Sequence, residues 1–595
     1  MNPDAAVRPN GGLRRWLAPA GLAVLVGGLF FFRLGQDVSV RSHEALLAES
    51  ARNMFLDKEV RLPDRTHPSA YVVPNFNGQP RLRKTPLPYW TVALLANLTG
   101  EVDAWTARVP SAVAALSTVL VLTLLVWHGW GRTAGLLAGA TLATSGAFMV
   151  VGRAALADMP MTFFTTASLA ALWVAVERAG QSRFRWLFLA GIMAGLSMMA
   201  KGPAPLLVFP LPWLVAAWVM VSRLRRARRS GETGRAEWGW ALGGVAAAGV
   251  AFVAITLPWP LYVYLHVPSA LEVWRAESVD RAVGGFGHGE APWFYVLRLP
   301  ILVAPWTIFF GVGVGLALRQ AWRDRAERGR LVFLAAWLVG PLAAFSAASG
   351  KQDHYILPVL PAAAIYTAMA MRRLFAPAPD RLDPHGRRLL ISHGVTAAVL
   401  GLGGVAVGAV LCLWPGFLAS HGLAGPPTTP AILGAVAVLG GVGIVGGLAA
   451  FLLAVRWRLL GGQAVLFATL AVALLWAWST LVGPTERAGT ARAIAERARS
   501  VVPADAAVFG FPGADRVVVF YLGRTLPELG TAADVEARRR QGRPFFLICE
   551  DKNMAALRGV SGMEVIAHET HPIFGDESFW LLRVPGATAA ARETP

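Results

Sequence analysis

The sequence has little charge for its length and is rich in apolar residues. Of its 595 residues, 15% are Asp, Glu, Lys or Arg and 55% are hydrophobic, with a mean hydropathy of +0.50. A chain of this length is too long for a single soluble core. Apolar runs of about twenty residues recur along it, as a hydrocarbon layer about 30 Å thick requires. The composition therefore predicts a membrane protein that crosses the bilayer many times.

Cysteine is almost absent. Cys412 lies inside an apolar run and Cys549 lies in a predicted strand. Neither cysteine has the sequence spacing of a metal ligand, and nothing indicates that the two come together. We therefore expect neither a disulfide framework nor a cysteine-bound metal.

Acidic residues are also scarce. The chain has 36 Asp and Glu against 55 Lys and Arg, which gives a formal charge of +19. Such an excess is common in nucleic-acid-binding proteins, but here the arginines stand in short runs between apolar segments. That arrangement is typical of residues that orient helices in a membrane. We therefore expect the membrane, and no nucleic acid, as a partner.

The apolar runs predict about thirteen transmembrane helices, and the arginines predict their direction. Arginines are concentrated in the N-terminal segment and in the loops after the even-numbered spans. Such loops stay in the cytoplasm, so the N-terminus is expected there, and the first span is expected to be a retained anchor. The fourth and fifth spans are short, as in tilted or partly re-entrant helices. The predicted spans are residues 16–34, 105–127, 133–150, 161–176, 186–199, 204–221, 239–264, 294–318, 331–348, 355–374, 392–413, 431–455 and 463–482.

This orientation divides the chain into two predicted domains. Residues 1–482 form the transmembrane domain, whose first outer loop (35–104) contains amphipathic helical patterns. An odd number of spans also places residues 483–595 outside the cytoplasm. This tail is predicted to be a small α/β domain. Its predicted strands are 506–511, 544–550, 563–569 and 578–584, and its predicted helices are 487–500 and 531–541.

Several unusual polar residues fall on the predicted outer face, among them Lys84, Asp158, Lys201 and Lys351. Taken singly, a helix-initial aspartate or an interfacial lysine has an ordinary structural explanation. Together they favour function, because ionisable residues at a membrane edge cost free energy. Cations there can hold a lipid phosphate, and a nearby acid can take a proton from an incoming hydroxyl. The set therefore predicts group transfer from a lipid-phosphate carrier to an acceptor outside the cytoplasm.

Six segments resemble the bacterial polyprenyl-phosphate-sugar glycosyltransferases. That family includes the aminoarabinose transferase of lipid A and is related to the protein O-mannosyltransferases. The resemblance covers about residues 10–375 and implies a GT-C-like polytopic helical fold. In order, the segments are HEALLAESARNM, NGQPRLRKTPLPYW, ALADMPMTFF, AKGP, ESVDRAVGGFGHGEAPWFYV and SGKQDHYILPVLP.

The resemblance also implies roles for particular residues. In the family an Asp-Glu pair opens the first outer loop. Here the pair is His43-Glu44, so Glu44 takes the role of the missing acid or the site works differently. Asp158 matches the second essential acid. The residues to which we assign substrate binding are Lys84, Arg83, Lys201, Arg281, Lys351, Tyr355, His354 and Tyr89.

The resemblance leaves the need for a divalent metal open. Some relatives have a glutamate just before the lysine matched by Lys84, and it binds a metal together with a later histidine. His288 matches that histidine, but Arg83 stands where the glutamate would be. No cofactor is therefore firmly predicted, and His288 is the candidate metal ligand.

The sequence as a whole predicts an inverting glycosyltransferase in the inner membrane. It would move a monosaccharide from polyprenyl phosphate to lipid A, another glycolipid or a protein, with Glu44 or Asp158 as general base. Three alternatives stay open: a transporter or flippase of a lipid-linked or anionic substrate, a sensor that acts through the tail, and transfer of a whole oligosaccharide. Repeated halves and midplane charges, typical of a transporter, are not evident.

Overall fold

The computed structural model describes most of the chain in separate ranges. They are residues 14–36, 39–57, 68–231, 235–277, 290–375, 459–477, 488–570 and 578–586, with a few more between 441 and 452. Within these ranges the chain is almost entirely helical up to residue 477, and a sheet follows in the tail.

The helical part begins with an apolar helix and a surface loop and continues as packed helices. The loop contains a short hairpin whose strands, β1 (Asn75–Phe76) and β2 (Gln79–Pro80), have two residues each. The helices are α1 (Arg14–Phe31), α2 (Ser42–Phe55), α3 (Leu87–Thr99), α4 (Ala104–Trp130), α5 (Arg132–Ala143), α6 (Gly146–Gly152), α7 (Asp158–Glu177), α8 (Gly180–Lys201), α9 (Pro210–Arg229), α10 (Arg235–Thr256), α11 (Pro258–His266), α12 (Ala270–Arg275), α13 (Phe294–Val303), α14 (Thr307–Arg323), α15 (Arg328–Ala347), α16 (Leu360–Phe375) and α17 (Leu459–Ala477).

Many of these helices are suited to a membrane. Six of the described helical segments are long and apolar enough to cross it, and two bent pairs raise the number to eight. The pair α5 and α6 bends by 67°, and the pair α13 and α14 bends by 112°. The predicted polytopic helical architecture is thus confirmed. The count of thirteen stays a prediction, because the span at 392–413 and most of that at 431–455 lie outside the described residues.

The prediction that the fourth and fifth spans are short is wrong. They are α7 and α8, with 20 and 22 residues, and a helix of this length extends about 30 Å. The apolar pattern ended early because charged residues stand inside the helices at their ends. Asp158 is the first residue of α7 and Lys201 is the last of α8.

The tail contains a four-stranded mixed sheet at the positions of the four predicted strands. Its order is β3-β4-β6-β5, with β3 and β4 parallel and the other neighbours antiparallel. One face of the sheet covers a cluster that includes Phe545, Leu547 and Leu582. The tail elements are α18 (Ala488–Val501), β3 (Val508–Phe511), α19 (Arg516–Leu522), α20 (Ala532–Arg539), β4 (Phe545–Glu550), α21 (Asp551–Met554), β5 (Glu564–Thr570) and β6 (Ser578–Val584).

The tail packs directly on the loop that follows α1, within residues 35–104. Buried residues of α2 and α3 form one hydrophobic cluster with those of α18 and α19. The guanidinium of Arg52 donates to the carbonyl of Phe520 at 2.7 Å and to that of Val102 at 2.9 Å. The Asn77 side chain exchanges two hydrogen bonds with the Leu526 backbone, at 2.9 and 2.7 Å. Loop and tail therefore form one layer over the end of the bundle where α7 begins and α8 ends.

Candidate functional site

The centre of the candidate site is the ion pair between Asp158 and Lys201. Helices α7 and α8 pack side by side, so the start of one meets the end of the other. Lys201 Nζ donates to Asp158 Oδ1, and His354 Nε2 lies 3.9 Å from the same oxygen. Asp158 is only 4% exposed. Lys201 Nζ also lies 4.6 Å from the centre of the Tyr355 ring, a cation–π distance.

Lys84 comes to this pair from the loop between α2 and α3. The Thr85 hydroxyl donates to the carbonyl of Met198 at 3.3 Å and accepts from the N–H of Gly202 at 3.0 Å. These bonds fix the loop on the end of α8, so the charge of Lys84 acts on both Asp158 and Lys201. Lys84 Nζ donates to Glu277 Oε1 at 2.8 Å.

Glu44 is enclosed by hydrogen-bond donors. Its Oε1 accepts from Arg108 Nε at 2.9 Å and from the Ala155 N–H at 2.8 Å, and its Oε2 accepts from the Arg41 N–H and from Arg108. The residue is 2% exposed. Burial alone would raise the pKa of Glu44, but the Arg108 guanidinium and the backbone N–H groups hold that pKa below its usual range. Glu44 therefore ties α2 to the start of α4 and to the segment before α7.

His43 stands one residue earlier and has different surroundings. Its ring is at the surface of the layer. Partial loss of water contact lowers the pKa of His43, and the charges of Arg516, Lys84 and Arg81 lower it further, while Asp158 opposes them. The imidazole is thus neutral at neutral pH. His43 joins Asp158, Lys201, His354 and Lys84 in what we call the Asp158 cluster.

The other predicted substrate residues are placed less centrally. Lys351 is 6% exposed, and its Nζ donates to the Glu290 carbonyl at 2.7 Å. The hydroxyl of Tyr89, also buried, accepts from Arg81 Nε at 3.2 Å. Arg83 is exposed on the loop. Two further predicted residues, Arg281 and His288, lie outside the described residues.

The described residues do not fit a divalent metal at this site. Among them no three His, Cys, Asp or Glu side chains stand together as a metal ion would require. Arg83, the residue just before Lys84, presents a guanidinium, which cannot act as a ligand.

The sequence analysis did not predict three residues that lie at or beside the site. Arg108 had a usable signal, because an arginine inside an apolar span requires a buried acid as partner. Glu277, which pairs with Lys84, carried no such signal. Neither did Arg516, which reaches the loop only because the tail docks there.

A cavity of about 490 Å³ lies where the tail meets α2. The Ser42 hydroxyl accepts from Arg516 at 3.3 Å on its wall. The wall also contains charged residues of both signs and two aromatic rings. These are Asp515, Glu528, Glu550, Lys552, Phe511 and Phe579.

The sequence is similar to those of several known proteins. The family model described as dolichyl-phosphate-mannose-protein mannosyltransferase matches residues 68–273. An undecaprenyl phosphate-alpha-4-amino-4-deoxy-L-arabinose arabinosyl transferase of Pseudomonas aeruginosa is 34% identical over 366 residues, 59% of this chain and 60% of the relative. Arabinosyl transferase 1 of Pseudomonas fluorescens is 31% identical over 408 residues, 66% of this chain and 65% of the relative. The matches thus span less than two thirds of either relative.

Solved structures agree over more of the chain. The crystal structure of ArnT from Cupriavidus metallidurans bound to undecaprenyl phosphate has a TM-score of 0.75 at 20% identity, covering 97% of this chain and 99% of that one. The apo structure of the same protein has a TM-score of 0.70 at 19% identity, covering 97% and 100%. The chain therefore has the GT-C fold of ArnT, and its sequence is similar to those of undecaprenyl phosphate-alpha-4-amino-4-deoxy-L-arabinose arabinosyl transferases, in line with the predicted resemblance.

Proposed function

We propose that the chain is a membrane glycosyltransferase that takes a monosaccharide from polyprenyl phosphate. The Asp158 cluster is the observation that carries this proposal. It places two lysines around one buried acid at the end of membrane-length helices. There the cations can hold the phosphate of a lipid whose tail stays in the hydrocarbon. The undecaprenyl phosphate named for the relatives and for the ArnT structure supports this donor class.

Lys84 and Lys201 would stabilise the departing phosphate. The acceptor hydroxyl oxygen attacks the anomeric carbon, the bond from that carbon to the phosphate oxygen breaks, and its electron pair leaves with the phosphate. One well-placed donor is worth about 3–4 kcal/mol in such a transition state. In the structure the Lys84 ammonium pairs with the Glu277 carboxylate. The donor phosphate, which is also an anion, would take the place of that carboxylate. Lys351, Tyr355, Arg83, Arg281 and Tyr89 stay predictions for donor binding.

Glu44 has a positioning role in this proposal. Four donors already occupy its two carboxylate oxygens, so a substrate hydroxyl would have to displace at least one of them. Glu44 instead sets the place of α2, which carries His43. Asp158 stays a candidate base.

The acceptor would enter from the tail. The cavity between α2 and the tail opens beside Ser42, next to His43, and its mixed charges and two aromatic rings suit a polar sugar headgroup. The acceptor would be lipid A, another glycolipid or a protein. Mass spectrometry of envelope glycolipids and proteins from a deletion strain would identify the acceptor and the sugar.

The site would face away from the cytoplasm. First outer loop and tail share one hydrophobic cluster, so they lie on the same side of the membrane. Cysteines placed at Glu101 and Thr531 should react with an impermeant thiol reagent from outside, and one at Ser230, beside the arginines that end α9, should not. The reverse pattern would refute the orientation.

Turnover by purified protein tests the proposed function directly. The protein in detergent should transfer sugar from an undecaprenyl-phosphate monosaccharide to a lipid A acceptor, and Asp158→Asn should abolish transfer at matched expression. Absence of transfer with every monosaccharide donor, together with movement of the intact lipid across vesicle membranes, would favour the flippase alternative instead.

A further inference from the structure

The proposed reaction requires a group that receives the proton of the acceptor hydroxyl. Besides His354, whose Nε2 lies 3.9 Å from Asp158 Oδ1 and is engaged with that acid, three titratable groups at the site come into question: Glu44, Asp158 and His43. The first is locked by four donors and 2% exposed. A proton on Glu44 would leave the guanidinium of Arg108 buried without a counter-charge, which is costly. Glu44 is therefore the least suited of the three.

Asp158 is also committed to partners. Its Oδ1 accepts from Lys201 and lies 3.9 Å from His354. Protonation of Asp158 would remove the counter-charge of Lys201, which is itself buried. Asp158 thus serves better to hold the phosphate-binding cation in place than to exchange protons in each catalytic cycle.

Among the described residues, His43 is neither enclosed by hydrogen-bond donors nor paired with a buried cation. Because it precedes Glu44 on α2, its side chain points about 100° around the helix from the locked carboxylate. Its ring makes no hydrogen bond to any side chain or backbone group of the described residues. The charges that act on it come from the loop (Lys84, Arg81), from the tail (Arg516) and from Asp158 at the start of α7.

His354 is a further neighbour of His43. The charges of His43 and of Lys201 both act on His354, whose Nε2 lies 3.9 Å from Asp158 Oδ1. His43 is thus an exposed, neutral imidazole on which the charge of Lys84 acts, and it directly follows Ser42, which lines the tail cavity where the acceptor would enter. A neutral imidazole has a free lone pair on one ring nitrogen, as a general base requires.

We propose that His43 is the general base that takes the proton from the acceptor, an inference that rests on the proposed function. The proton moves from the acceptor hydroxyl to the free ring nitrogen as the oxygen attacks the anomeric carbon. The bond from that carbon to the phosphate oxygen breaks, and the electron pair leaves with the phosphate held by Lys84 and Lys201. The imidazolium then gives the proton to water at the exposed surface of the layer.

Three variants test this assignment: His43→Gln, His43→Asp and, as a control, His128→Gln. His128 is an exposed histidine at the opposite end of the bundle. A general base contributes about 10²- to 10⁴-fold, so His43→Gln should lower kcat by that factor, while the control keeps wild-type kcat. His43→Asp should recover part of the rate, because a carboxylate can also take the proton. Binding of undecaprenyl phosphate, measured by thermal shift, should be unchanged in all three.

The pH profile separates a base from a positioning residue. Wild-type kcat should fall only at a pH below 6.5, the usual histidine pKa, because the neighbouring cations lower the pKa of His43. In His43→Asp the fall should move toward the usual Asp pKa of about 3.9. An unmoved profile in His43→Asp would overturn the assignment.

Other outcomes also decide the matter. A His43→Gln variant within threefold of wild-type kcat at every pH would overturn this inference and leave the proposed function intact. Loss of undecaprenyl phosphate binding in both His43 variants would overturn it too, because His43 would then belong to the donor site. A wild-type protein without turnover would refute the proposed function and this inference with it.

Discussion

The two ends of α7 and α8 carry charge in different ways. At one end, Glu177 of α7 pairs with Arg330 at 2.7 Å, and Arg183 of α8 pairs with Glu237 at 2.5 Å. His128 lies 3.9 Å from Glu177 as well. Here each of these carboxylates faces a cation of a neighbouring helix, and the arginine-rich end of α9 lies at the same end. We call this the paired end.

At the Asp158 end several cations share one carboxylate. Lys201 and Lys84 both act on the buried Asp158, and Arg81 and Arg516 act on the neighbouring His43. Like charges held together raise the free energy of the folded protein, and they persist where an anion is bound. The paired end thus fits a structural role, and the Asp158 end fits a binding site for phosphate. Five predictions test this difference, in order of decreasing effect.

The largest loss of stability is expected from Glu44→Gln. Glu44 lies at the Asp158 end, but it forms an ion pair with Arg108 like those of the paired end. Loss of the carboxylate leaves Arg108 buried without a counter-charge, which should cost about 3–5 kcal/mol of stability. Thermal unfolding at pH 7 measures this loss. Glu496→Gln is the control, because Glu496 belongs to an exposed ion pair with Arg492.

The effect of Glu44→Gln should depend on pH. The folded-state pKa of Glu44 is lowered, so its stabilisation is present above the usual value of 4.5 and is lost as the pH falls through the folded-state pKa. Wild type and variant should therefore converge in strongly acidic buffer. A difference in melting temperature that stayed constant with pH would contradict the role of the ion pair.

Lys84→Ala should lower turnover strongly with little loss of stability. Removal of one donor to the departing phosphate costs about 10²- to 10³-fold in kcat. Lys84 is partly exposed, so few buried contacts are lost with it. Steady-state kinetics with an undecaprenyl-phosphate sugar gives the result, and undiminished kcat would remove Lys84 from the phosphate site.

Arg330→Ala is the matched change at the paired end and should behave in the opposite way. Arg330 loses its bonds to Glu177, to the Gly129 carbonyl and to Glu327. A hydrogen bond to a charged group is worth about 1.5–3 kcal/mol. The melting temperature should fall, while kcat of the folded fraction stays within about threefold, a smaller change than general-base loss gives. A large fall in kcat would erase the distinction between the two ends.

Asn77→Ala should loosen the tail. It removes two hydrogen bonds to the Leu526 backbone, each worth about 0.5–1.5 kcal/mol. Limited proteolysis should cut the variant between membrane domain and tail faster than wild type, and acceptor use should suffer more than donor binding. Equal cleavage rates would show that the hydrophobic cluster alone holds the tail.

A chelator should have the smallest effect. Two permanent cations, Arg83 and Lys84, stand next to each other in the loop, so the phosphate needs no divalent ion there. Turnover in EDTA should stay close to that without it. Complete loss, restored by one added metal, would contradict this and make His288 the first ligand to examine.

Much of the architecture follows from the order of residues alone. The apolar runs, the arginine-rich loops and the alternating pattern of the tail strands are local signals, so they can be recognised without a fold. The six segments that resemble the glycosyltransferases can likewise be recognised from their order along the chain. Local signals fail at the ends of helices, which is why α7 and α8 were predicted too short.

The site depended on contacts between distant parts of the chain. The sequence pointed to Glu44 and Asp158 as acids at the same face, but only the fold shows Glu44 enclosed by Arg108 and by the Ala155 N–H. Nor does sequence place Arg516 beside His43, more than 400 residues away along the chain. Residue types and periodicity determine which segments enter the membrane. Tertiary packing decides that the Glu44 carboxylate is enclosed by donors while the His43 imidazole is exposed. The reason is that burial and neighbouring charges set the proton affinity of each group.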